Sequence, residues 1–401
     1  MASIERTAYP RFRRLVTARE LASLSPTADE VAWARGQTRS DEHLLALVLS
    51  LSCFQRLGYF PRPGDVPVEV VEHVRRCLEL PGGIVPLRGS HTAKWQHWLV
   101  RQRLGVVHDP ERARAVAAEA IRSAAEVKNH PPDLINVALE MLVKESLELP
   151  AFSTLDEMAA RIRYEVNTVM FGRIDGRIAL PDHVRLEDLL EVVGPSAKTS
   201  YNRLKTAAGR ASWSGFREQV AHLRWVDSLG DTDAWLEGIA KAKIADFAGE
   251  AMAADAGVMR DVSPLKRTAL LACVVHVARA RARDDLAEMF CKRMAAITKL
   301  ARAELAAIHE RQAEMSERLI AHYRSVLTCL DPSSTEAPDA LRLARGTVEQ
   351  AGGFEAELAA IEVVAAHHAN NYMPLVAKHR RRDRSTDVRV RSCRRARGHE
   401  R

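Results

Sequence analysis

Aromatic residues are scarce: Phe, Trp and Tyr make up 5% of the 401 residues. A core must therefore be built from Leu, Val, Ala, Ile and Met. No apolar run reaches the roughly 18 residues that a membrane-spanning helix needs. The N-terminus, Met1 to Arg19, is rich in arginine but lacks the apolar stretch of a secretory signal. The six cysteines, Cys53, Cys77, Cys273, Cys291, Cys329 and Cys393, contain no CxxC pair. That removes a disulfide framework and a zinc site, and predicts reduced thiols in a cytoplasmic protein. The sequence has no G-x-x-x-x-G-K-[ST] phosphate loop, no G-x-G-x-x-G after a strand and no G-x-S-x-G elbow. His309-Glu310 lacks the second His of a zincin helix. His367 and His368 would point about 100° apart on a helix and make a poor chelate. Glu187-Asp188 and Asp284-Asp285 read as solvated helix faces or caps. No catalytic residue, metal site or cofactor is expected.

What is present is globular. Hydrophobic residues make up 47% and charged residues 28%, and the length suggests two or three domains. The formal net charge is +7, but it is unevenly placed. Among residues 378–401, Lys378 and ten arginines face Asp383, Asp387 and Glu400, a balance of +8. The first 377 residues then carry −1, so any affinity there for nucleic acid must come from local patches.

The periodicity is helical almost throughout. Thr17 with Glu20 has the spacing of a capping box, as does Thr154 with Glu157. Asp41 to Leu57 is apolar on most faces and reads as a buried helix. Asp109-Pro110 is an N-cap followed by proline at the first helical position. Ile174 to Pro181 is the one plausible strand fragment. From Asp284 to Leu330 there is neither Pro nor Gly, and Phe290, Met294, Ile297, Ala301, Leu305 and Ile308 recur at helical steps. That spacing predicts one helix of about 45 residues, of the kind that bridges domains or pairs with another chain. The expected fold is all-α, a multi-domain helical array with helix-turn-helix-like hairpins. Its divisions are 1–171, 172–258, a long-helix assembly or dimerisation domain at 259–377, and a disordered basic tail at 378–401.

Three windows exclude acids. Arg6 to Arg19 holds Arg11, Arg13 and Arg14 beside Tyr9 and Phe12. Leu80 to His108 holds Lys94, Arg101 and Arg103 with Trp95 and Trp98. Val192 to Arg217 holds Lys198, Tyr201, Asn202, Arg203, Lys205 and Arg210 with Trp213. A carboxylate beside a phosphate cancels a cation's Coulomb gain, so these windows concentrate positive potential where duplex DNA could lie. Asn136 to Phe171 adds two amphipathic segments around a short turn. Arg161 and Arg163 on the second give it the look of a helix-turn-helix.

Pro131-Pro132-Asp133-Leu134-Ile135-Asn136, followed by Glu148-Leu149-Pro150-Ala151-Phe152-Ser153-Thr154-Leu155-Asp156, resembles the N-terminal region of replicative transposases of the Tn-three family. Ser200-Tyr201-Asn202-Arg203-Leu204-Lys205, Arg279 to Leu286 with Glu288-Met289-Phe290, and Asn371-Tyr372-Met373-Pro374-Leu375 follow in the same order. The resemblance covers roughly residues 10 to 377. It implies a helical fragment of a bacterial cytoplasmic or nucleoid protein that binds the terminal inverted repeats. It also implies that the Mg²⁺-dependent DDE catalytic domain lies beyond the matched stretches. A homodimer, or a mixed oligomer with the full-length protein, is the expected protein partner. Beyond Leu375 the sequence departs from the family, as a frameshift or truncation would make it, or as a genuine basic arm. The competing expectation is a helical interaction or dimerisation scaffold without specific DNA binding.

Overall fold

Local capping chemistry sets many of the helix boundaries. In a computed structural model describing residues 4–13, 15–86, 90–192, 199–331, 333, 337–366 and 371–381, Thr17 and Glu20 form the expected reciprocal capping box. Thr27 and Glu30 form a second. Asp109 accepts from the Arg112 amide, with Pro110 in the first turn. Thr154 does not cap. Helix Phe152–Asp175 starts earlier, with Ala151 at its N-cap and no side-chain cap bond. The fragment 174–181 is not a strand: one helix ends at Asp175 and the next, Leu180–Asp188, starts with Pro181 in its first turn. All regular structure among the described residues is helical, apart from two isolated bridges. No described helix is long and apolar enough to cross a membrane.

The chain divides into two compact units, neither bounded at residues 171 or 258. The first contains residues Met1–Arg203 and Asp231–Val277; the second contains Leu204–Gly230 and Ala278–Arg401. Helix Pro264–Leu330 continues through both as 67 residues. It is longer than expected because nothing between Leu265 and Leu330 breaks it.

The first unit is built around helix Asp41–Leu57, which buries eleven residues. Helices Ala28–Gln37, Val68–Cys77 and Ser90–Leu104 pack around it, burying Ala34, Val70, Val74 and Val100. Each fully buried Leu or Val contributes about 1.5–3 kcal/mol, so this cluster dominates local stability. A bundle of Pro110–Ala125, Pro131–Lys144 and Phe152–Asp175 follows. Gly58 helps join the two parts. Its amide closes the preceding helix at φ +70°, its carbonyl accepts from the Leu149 amide at 3.0 Å, and a Cβ there would lie 3.0 Å from Leu149. Glycine meets both demands.

In the second unit, Trp213–Asp227 is tied to the long helix by the Arg279 guanidinium, whose Nε lies 3.0 Å from Asp227. Ile297, Ala301 and Leu305 of the long helix are buried as the spacing predicts, but Phe290 is 56% exposed. Leu375 packs against Ala301 and Leu305. The helix at 373–381 carries Lys378 and His379, which pair with Glu304. Residues 378–381, placed in the expected tail, continue that helix. The rest of that tail, 382–401, lies outside the described residues.

Candidate nucleic-acid interface

Ser90–Leu104 is the one described helix of ten or more residues without an Asp or Glu. Its two sides differ sharply. On the inner side Val100 is fully buried, and Gln96, 2% exposed, donates to the His43 carbonyl at 3.3 Å. His97 stacks on Phe60 at 3.7 Å, with the ring planes 9° apart. Burial, with Arg101 beside it, holds the His97 imidazole below its usual pKa and so neutral near pH 7. Ala93, Gln96 and His97 also wall a cavity of about 550 Å³ beside Leu49, Cys53 and Phe60. On the outer side Lys94, Trp95, Trp98 and Gln102 are exposed, the two indoles by 42% and 53%. Steps of four place Lys94, Trp98 and Gln102 along one line of the helix. Lys94 has no ion pair among the described residues.

The fold brings acids to cations that look acid-free along the chain. The Arg101 Nε donates to Glu148 at 2.8 Å, with both side chains largely buried, and His108 shares that carboxylate. Arg103 pairs with Asp29 and lies 4.8 Å from the Trp33 ring centroid. Both arginines are thus engaged by carboxylates within the fold. Arg11 lies 3.5 Å from Glu5 and Arg13 3.3 Å from Glu20, both exposed. Arg14 lies outside the described residues. Tyr9 is a core residue, its hydroxyl donating to the Pro150 carbonyl at 2.9 Å.

The hairpin of Pro131–Lys144 and Phe152–Asp175 exists, but its second helix does not present a basic face. Arg161 points outward and pairs with Glu165 at 3.4 Å, and Glu157 is exposed on the same helix. Arg163 is half-buried, and its buried Nε lacks a hydrogen-bond partner. Helical hairpins share this sequence pattern whatever their outer charge, so the resemblance to a recognition helix was topological only.

The third window is divided. Asn202 and Arg203 are exposed in the first unit; Lys205, half-buried, and Arg210, exposed, belong to the second. Lys198 lies outside the described residues. Tyr201 is fully buried, its hydroxyl donating to the Ala251 carbonyl, and burial pushes its phenol up to about 12. It supports the fold and does not face a ligand. Trp213 is occupied by Arg293, whose guanidinium carbon lies 5.6 Å from the ring centroid.

Gln102 was not singled out by the acid-free windows, although a helical projection of residues 90–104 places it with Lys94 and Trp98. Residues 1–162 match the model of a domain of unknown function (DUF4158), and the whole of Ser90–Leu104 lies inside that match. Comparison with curated proteins gave no match.

Proposed function

We propose that the chain binds duplex DNA and, within that class, forms the end-recognition part of a replicative transposase. The observation that carries the first step is the outer face of Ser90–Leu104, with Lys94, Trp95, Trp98 and Gln102 on an acid-free helix. A helix fits the major groove, where a Gln amide can pair with adenine N6 and N7 and a Lys ammonium with guanine O6, N7 or a phosphate. Indoles offer apolar contact to a thymine methyl or to sugar. Arg203, exposed on the same unit, supplies a further candidate phosphate contact. The narrower step rests on the five ordered stretches that resemble Tn-three family transposases. In this reading the chain positions transposon ends, and strand cleavage and joining belong to the family's DDE domain.

The reading is tested by fluorescence anisotropy on duplex DNA over a salt series. Lys94→Ala should reduce the slope of log affinity against log salt by about 0.9, one phosphate contact. Arg161→Ala, which breaks only an exposed pair, should leave the slope unchanged. Equal slopes for wild type and Lys94→Ala would reject a role for this face. The second reading, an interaction scaffold, is favoured by a separate observation, the apolar surface of the second unit.

A further inference from the structure

We infer that the end of the long helix, together with helix Phe354–Ala365, forms a self-association surface whose occupant is the same surface of a second copy. Large apolar side chains normally appear singly on a protein surface. Here Ile320, Tyr323, Leu327 and Leu330 are exposed at steps of three, four and three, the spacing of a coiled-coil seam. Across an apolar groove of about 480 Å³ stand Phe354, Leu358 and Ile361, also exposed. Of the twelve residues of Phe354–Ala365, Ala360 alone is buried.

The area matches what a stable dimer needs. These seven side chains are 44% to 66% exposed. At on the order of 100 Å² apiece they offer about 700 Å² of apolar surface, close to the roughly 800 Å² per partner of a standard interface. Pattern and charge favour a second copy over an unrelated chain. A two-fold axis between antiparallel helices sets Ile320 against the partner's Leu330 and Tyr323 against the partner's Leu327, so the seam complements itself. Helix Phe354–Ala365 carries Glu355, Glu357 and Glu362 and no Lys or Arg. The neighbouring part of the long helix, residues 310–330, carries Arg311, Arg318 and Arg324 beside Glu310, Glu314 and Glu317. Glu357 is already engaged with His322 at 3.3 Å and Arg318 at 3.9 Å. The exposed Glu355, Glu362 and Arg324 remain for contacts between copies. Two-fold pairing can bring Arg324 of one copy to the acidic helix of the other.

The inference stands independently of DNA binding, so its test uses nuclease-treated full-length protein. Sedimentation velocity from about 0.5 to about 50 μM should show a monomer–dimer equilibrium moving with concentration. Tyr323→Glu with Leu358→Glu should weaken it at least 100-fold, while Tyr164→Glu, on an exposed site of the other unit, should leave it unchanged. Both altered side chains are exposed, so circular dichroism should stay at the wild-type level. A readout on the unaltered chain guards against misfolding: amides of 319–330 and 354–365 should exchange more slowly at the higher concentration. A wild-type monomer throughout, a dimer that survives the double substitution, or exchange independent of concentration would each overturn the inference.

Discussion

Lys243 sits in the core of the first unit with no exposed surface. Its Nζ donates to Asn129 Oδ1 at 3.0 Å and to Asn167 Oδ1 at 2.6 Å. Two acceptors match the two N–H bonds of a neutral amine. The ammonium form has a third, and the Phe247 ring centroid lies 5.5 Å from the nitrogen. Burial is the largest influence and drives the pKa down to about 8; Asp246 opposes it and Arg163 adds to it. The unfolded chain keeps the ordinary 10.5. Below pH 8 both states are protonated, and the folded state bears the full cost of a buried cation. Between pH 8 and 10.5 the folded state has released its proton while the unfolded state retains it, so stability rises with pH. At about 1.4 kcal/mol per pH unit, the full rise is on the order of 3 kcal/mol. The buried thiols of Cys53 and Cys273, pushed up to about 12, act in the opposite direction over part of this range. The informative quantity is therefore wild type minus Lys243→Met. Urea unfolding followed by circular dichroism at pH 7.5, 8.5, 9.5 and 10.5 should show that difference moving in favour of wild type as pH rises. A difference that stays constant would refute a buried, titrating Lys243.

Gly215→Ala should destabilise the second unit by about 1–3 kcal/mol, because its Cβ would lie 2.3 Å from the Arg210 carbonyl oxygen, an atom with little room to move. Limited proteolysis should then cut residues 204–230 faster; an unchanged rate would contradict the close approach. Tyr201→Phe should lower the urea midpoint by the equivalent of about 1–2 kcal/mol by orphaning the Ala251 carbonyl, and should leave DNA affinity intact. Lost affinity at constant stability would return Tyr201 to the DNA-facing set. Glu148→Gln should free the Arg101 guanidinium and steepen the salt dependence of DNA binding, and an unaltered slope would show that Arg101 does not reach phosphate.

Features decided within a few residues were legible in the sequence, and features decided across the fold were not. The Thr17–Glu20 box and the Asp109-Pro110 start depend on neighbours alone, and both form. The same signature at Thr154 fails because Ala151, just after Pro150, already takes the N-cap. The long helix was legible as an absence of breakers, and its inner stripe as a period. The acid-free windows could not reveal these pairs because charge cancellation acts through space: Glu148 lies 47 residues from Arg101, and Asp29 lies 74 from Arg103. Tyr201 looked like a contact residue because it stands among cations, yet its hydroxyl partner is 50 residues away. Lys243 left no local signal, since Asn129 and Asn167 are 114 and 76 residues distant. On Ser90–Leu104 the outward set was readable from helical projection, and the fold shows which cations of that helix pair with distant acids.

The outer face of Ser90–Leu104 is the proposed base-reading surface. Its most direct measurement begins with duplexes selected by the full-length chain from a random pool. Affinity for the selected duplex and for a scrambled one is then compared between wild type and Trp98→Ala with Gln102→Ala. Loss of base-edge contacts should cost about 1–3 kcal/mol on the selected duplex, roughly 5- to 150-fold in affinity, with little change on the scrambled one. If the pool yields no preferred sequence, or if the double variant retains the wild-type preference, this helix does not read bases.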